Sequence, residues 1–358
     1  MKLKTFCIAL LLVGMTSAGA VLAQTLQKIT LLHSQPQITS AFAYSSSLPI
    51  HLGYFKEEGL EVEVNAMAGA AAAMQLVIGG RADFAIGNPS GAMIAIQKGA
   101  DVRFYYTSIR GDIFGVALPA ESGMKTLADL KGKTIGVSSF ASGGTNYVKG
   151  LMKTVGLESG RDYNIVEVGV GARAAGAYRS KQIDAYSLWD EIYVTLQQSG
   201  IPFSSIIRDP RADGHAVGSI LAKTADYTAR RKTLIGVARA IAKAQLFQYT
   251  NPEAAIRIHW KVYPQTAPRD GITDAAVKRE LNVLAVRTVL ISKNAMKTNK
   301  WGDLPRDVME KFQGYLVATE VLPKAMDVGA YYTNDLIDEI NNFDEAAIVR
   351  QAREFKLP

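Results

Sequence analysis

GYFKEEGLEVEV NAMAGAAAAMQLVIGG RADFAIGNP, residues 53–89, spells one structural unit, and GLESGRDYNIVEV GVGARAAGAYRSK QIDAYSLWD, residues 156–190, spells it again. Each copy ends a helix at a glycine and enters an alternating strand, Leu60-Val62-Val64 in one and Ile165-Val166-Val168 in the other. A small-residue turn and an Ala-rich helix follow. A short apolar strand then begins through an aspartate step, Asp83-Phe84-Ala85 or Asp184-Ala185-Tyr186. Each copy is therefore a β-α-β unit, with parallel strands and a right-handed crossover. Two copies imply two lobes.

Each lobe also opens on a strand of its own. Ile29 to Leu31 leads into His33-Ser34-Gln35, and Thr134 to Val137 leads into Ser138-Ser139. The expected architecture is α/β: two lobes, each a doubly wound, mostly parallel sheet, joined by two crossover strands near 113–120 and 208–222 that act as a hinge. Lobe 1 is assigned 24–118 and 212–330, lobe 2 is assigned 119–211, and 331–358 is a helical tail. Helices are expected over 229–248, 252–260, 273–290 and 305–319.

The N-terminus sets the compartment. Lys2 and Lys4 precede an apolar run from Phe6 to Val13, then small residues ending at Val21-Leu22-Ala23. That is the layout of a cleavable signal peptide over 1–23, and it predicts export to the periplasm. The single cysteine, Cys7, falls inside this segment. The mature chain then has no thiol for a disulfide, a nucleophile or a Cys metal site. Its net charge drops from +7 to +5 as the two lysines leave. That mild basicity is spread along the chain without a Lys/Arg block, so no nucleic-acid partner is expected. It favours anionic solutes weakly, by long-range attraction that salt screens.

Three stretches resemble the solute-binding proteins of the nitrate/sulfonate/taurine type, often called SsuA/THI5-like or NMT1-like. They are His51-Leu52-Gly53-Tyr54-Phe55-Lys56-Glu57-Glu58-Gly59-Leu60, Gly80-Arg81-Ala82-Asp83-Phe84-Ala85, and Leu127 through Val137. Leu188-Trp189-Asp190 resembles that family's W-x-P step, with Glu191 where proline is common. The resemblance runs from about residue 28 to 225. It implies a type II-like periplasmic binding fold, a monomeric receptor, and an ABC permease with its cytoplasmic ATPase as partners. It also implies ligands that are small anions or heterocycles.

In doubly wound sheets ligands sit at the C-terminal strand edges, where helix N-termini point. Four loops meet that condition. They contribute Gln35 and Tyr44; Gly69 and Ala70; Asn88 and Ser90; and Ser138, Ser139, Ser142, Gly143, Gly144 and Thr145. The fourth combines hydroxyls, glycines and a helix start, which suits a carboxylate or sulfonate without any cationic side chain. Arg173, at the start of the second repeat's helix, is either a bidentate donor to an acidic ligand or a solvated surface arginine. Trp189 and Asp190 either stack on and accept from the ligand, or serve as core and helix cap.

No catalytic motif accompanies these loops. His33, His51, His215 and His259 show no paired metal spacing, and no Walker A, G-x-S-x-G or HExxH occurs. The expectation is a binding protein without cofactor or metal that captures a sulfonate- or carboxylate-type anion. The alternatives are a receptor for a neutral or heterocyclic solute such as a thiamine pyrimidine precursor, or a THI5-like enzyme or sensor on the same fold. The THI5-like pyrimidine synthases carry a cysteine-rich motif, which a mature chain without cysteine lacks.

Overall fold

The computed structural model describes residues 25–294 and 297–357. The proposed signal peptide lies outside the described residues. The first sheet comprises β1 (Gln27–His33), β2 (Leu60–Ala66), β3 (Phe84–Gly87), β4 (Val102–Arg110) and β10 (Ala216–Lys223), in the order β2-β1-β3-β10-β4. The second comprises β5 (Val116–Pro119), β6 (Thr134–Val137), β7 (Asn164–Glu167), β8 (Ala185–Ser187) and β9 (Phe203–Ile207), in the order β7-β6-β8-β5-β9.

The two orders are the same pattern. A leading strand sits between the two strands of a β-α-β unit and pairs with both in parallel. The fourth position is taken by the strand that has just arrived from the other lobe, and it runs antiparallel to both neighbours. Each sheet thus has four strands in one direction and one reversed. The chain passes between the sheets twice, through 111–115 and 208–215.

The aspartate step shared by the repeats has a physical cause. Asp83 Oδ2 accepts from the Thr30 amide at 2.8 Å, and Asp184 Oδ2 accepts from the Thr134 amide at 2.9 Å. In both lobes the carboxylate ties the last strand of the unit to the leading strand where their ladder begins.

The helices predicted downstream form over Arg231–Thr250, Pro252–Val262, Asp274–Thr288 and Arg306–Ala318. The helix Arg231–Thr250 buries Gln245 and Gln248 completely, because both amides brace backbone. Gln248 Oε1 accepts from the Tyr44 amide at 2.9 Å, and Gln245 Nε2 donates to the Ser108 carbonyl at 3.0 Å. Glu58, which follows the helix Tyr54–Glu57, accepts from Arg239 at 2.9 Å. The tail docks on lobe 1: residues 331–333 flank Phe104 of β4, and the helix Glu345–Arg353 packs on Arg231–Thr250.

Candidate functional site

At the C-terminal ends of β1 and β3 the backbone is held by a dense set of buried hydroxyls. Ser40 to Ser45 form a fully buried 3-10 segment. His33 Nε2 shares a hydrogen bond with Ser45 Oγ at 3.1 Å, and His259 Nδ1 shares one with Ser47 Oγ at 3.0 Å. Burial, with Arg287 and His259 adding to it, pushes the His33 imidazole down to about 3, so the ring is neutral at physiological pH.

Between the lobes lies a cavity with about 470 Å³ of atom-free space, part of it open to solvent. Lobe 1 contributes His33, Gln35, Phe42, Tyr44, Ala70 and Asn88; lobe 2 contributes Ser142, Gly143 and Trp189. The crossovers add Ile113, Phe114, Val217 and Gly218. Gly143 begins the helix Gly143–Lys153, whose N-cap Ser142 accepts from the Gly144 amide. A helix N-terminus therefore opens on the cavity, with its partial positive charge.

The dominant charge is Arg287, on the helix Asp274–Thr288. It is fully buried, lies 4.6 Å above the Phe42 ring, and donates through Nη2 to Asp190 Oδ1. Its Nε and Nη1 have no partner, although they are buried. A guanidinium with two orphaned N–H positions at a cavity wall keeps unmet donor capacity, since each unpaired buried donor costs about 1–3 kcal/mol until an acceptor meets it. Behind it, burial raises the Asp190 carboxyl against the pull of Arg287 and lifts Glu191 to about 7. Glu191 Oε1 accepts from Trp189 Nε1 at 2.9 Å and from Thr39 Oγ1 at 3.2 Å.

Of the residues singled out in sequence, Gln35, Tyr44, Ala70, Asn88, Ser142, Gly143 and Trp189 line this cavity. Ser90 lines an adjoining one. Asp190 stands one layer back, as the counter-charge of Arg287. Gly69 and Ser139 meet across the lobes: Ser139 Oγ donates to the Ala68 carbonyl, and a Cβ on Gly69 would lie 2.6 Å from the Ala141 carbonyl carbon. Thr145 Oγ1 donates to the Ser139 carbonyl at 2.8 Å, Gly144 packs on Phe114, and Ser138 is buried in the same loop. These residues shape the loop and the lobe contact.

Arg173 stands apart from the cavity. It is exposed, folds back on Gly169 and is not among the cavity's lining residues, because its helix carries it to the solvent side. Arg287 is the cation that sequence reasoning passed over. Its one local signal is position: it continues the buried stripe Ala276, Val277, Val283 and Leu284 of an amphipathic helix.

Comparison with known proteins agrees with this fold. The profile of a family described as NMT1/THI5 like matches residues 48–255. A Brucella abortus (strain 2308) protein that carries a binding-protein name, BAB2_1146, is 24% identical over 208 residues, 58% of this chain. The chain spans 63% of the length of that curated relative. Among solved structures, a protein of Bordetella bronchiseptica RB50 superposes with a TM-score of 0.65 at 26% identity, covering 91% of this chain and 97% of its own. The alkanesulfonate-binding protein SsuA from Xanthomonas axonopodis pv. citri, bound to MOPS, gives 0.65 at 19% identity, with 86% and 98% covered. The fold also occurs in the desulfurization enzyme DSZB, with a TM-score of 0.54 at 14% identity over 88% of this chain and 99% of that one. Fold alone therefore does not separate binding from catalysis.

Proposed function

Because the chain belongs to the NMT1/THI5-like family, we propose that it is the extracytoplasmic solute receptor of an ABC importer. It captures a small organic anion of carboxylate or sulfonate type between its lobes and hands it to a membrane permease. Residues 1–23 export it to the periplasm, and it binds its solute without turnover. Arg287 carries this reading: a buried guanidinium with Nε and Nη1 unpartnered at the wall of a cavity that the start of the helix Gly143–Lys153 also lines. The anion accepts from Arg287, and lobe 2 contributes the helix N-terminus as the lobes close.

The direct lobe-to-lobe bonds support a closing motion. Ala71 donates its amide to the Ala141 carbonyl at 3.2 Å, and Asn146 Nδ2 donates to Ser90 Oγ at 3.3 Å. Such contacts complete a closed state only when the two cleft walls meet.

A second reading rests on Gln35, whose buried Oε1 has no partner in the same cavity. With a neutral His33 beside it, this corner suits the N–H groups of a neutral heterocycle. Isothermal titration of the mature chain with acetate, methanesulfonate, nitrate and an aminopyrimidine separates the two. Binding of the anions, with solution scattering that shows compaction, supports the first reading. Saturation by the aminopyrimidine alone overturns it.

A further inference from the structure

A second cavity, with about 360 Å³ of atom-free space that includes open solvent, adjoins the first, and Asn88, Phe114, Gly143 and Val217 line both. Four side chains or backbones thus stand between the two: Phe114, Val217, Asn88 and Gly143, the last two packed so closely that a Cβ on Gly143 would lie 2.7 Å from Asn88 Cγ. Beyond them the walls are aromatic and aliphatic: Phe312, Tyr315 and Leu316 from the helix Arg306–Ala318, with Tyr147 and His215. His215 sits 5.2 Å from the Phe312 ring and 5.0 Å from the Tyr315 ring, centroid to centroid.

The chemistry of the two compartments differs. The first ends on Arg287, whereas no Lys or Arg lines the second. Burial keeps His215 neutral, pushing it down to about 4, and raises Asp112 to about 7. Asp112 Oδ2 is already bonded by Tyr147 Oη at 3.0 Å. Tyr315 is 7% exposed, yet its hydroxyl has no partner. The compartment offers ring faces, one spare hydroxyl and the amide side chains of Asn88 and Asn146, and no cationic side chain.

We propose that the two cavities are one ligand site, and that the solute is an aryl or aralkyl carboxylate or sulfonate. Its anionic head meets Arg287, and its ring enters the compartment walled by Phe312, Tyr315 and Leu316. This rests on the anion reading of the first cavity and narrows it to a substrate class.

Titration with matched pairs tests it: acetate against phenylacetate, and methanesulfonate against benzenesulfonate. The wild-type protein is expected to bind each ring-bearing anion about tenfold or more tightly than its small partner, because the ring buries apolar surface that the small anion lacks. Leu316→Trp, which fills the second compartment, is expected to remove that preference. Equal affinity within the wild-type pairs overturns the proposal while leaving the anion reading intact, and needs no variant. A preference that survives Leu316→Trp, in protein whose melting profile is unchanged, also overturns it. Failure of all four anions to bind overturns both.

Discussion

Replacing Arg287 with methionine separates its two roles. Methionine keeps much of the stem that packs on Phe42 and removes the guanidinium. The two unpartnered positions, Nε and Nη1, offer two charge-assisted hydrogen bonds worth about 1.5–3 kcal/mol each. Arg287→Met should therefore cost about 3–6 kcal/mol of anion affinity, roughly two to four orders of magnitude. It also strips Asp190, itself 8% exposed, of its buried counter-charge. Breaking such a pair typically destabilises by about 3–5 kcal/mol. Adding Asp190→Asn should recover much of that stability, because the amide oxygen can still accept from the Glu191 backbone as Asp190 Oδ1 does at 2.9 Å. Affinity should not return with it. Titration calorimetry reads the first quantity and denaturant unfolding the second. Unchanged affinity in Arg287→Met, or affinity restored by Asp190→Asn, refutes the assignment of Arg287 to the ligand.

Three further outcomes follow from particular contacts. Glu191 holds its proton to about pH 7 in the fold against an ordinary 4.5, so stability should fall as pH rises between those values, by up to about 3 kcal/mol. Glu191→Gln removes that slope, and parallel profiles for the two proteins would count against it. Gly69 has φ +125° and faces the Ala141 carbonyl across the lobes, so Gly69→Ala should hold the cleft open. Affinity should drop about tenfold or more, and scattering should show no compaction at saturating ligand; wild-type affinity would refute the contact's role in closure. Gly302 has φ +80°, and a Cβ there would lie 2.1 Å from Cδ2 of the buried Tyr106 ring. Gly302→Ala should cost about 3 kcal/mol or more in denaturant unfolding, and a loss under about 1 kcal/mol would show that the ring can move.

Much of the architecture was legible in the chain because it is written in local periodicities. Alternation over Leu60-Val62-Val64, the Ala-rich helix after it and the aspartate before each last strand need no distant partner to be recognised. The same holds for the loops at 35, 70, 88 and 142, since strand-loop-helix order places them at one sheet edge. Side-chain roles within those loops were less legible. Gly69 and Ser139 belong to the lobe contact and Asp190 to a counter-ion layer, distinctions that depend on how two lobes face each other.

The two arginines mark the boundary. Arg173 stands at a helix start beside glycines, where local rules leave a ligand donor and a surface charge equally open, and it is exposed. Arg287 lies in a helix far down the chain from every cleft loop, and its place on the buried stripe of that helix does not say which cavity it meets. Packing of that helix between the Ser40–Ser45 segment and the lobe 2 helix Asp190–Gln198 buries it against Phe42 and Asp190. Sequence by itself determined two β-α-β lobes, the shared strand edge and the loops upon it, because 2.0- and 3.6-residue periods act between near neighbours. Tertiary structure alone decided which cation reaches the cavity, because burial and charge pairing are set by segments that meet only when the chain has folded.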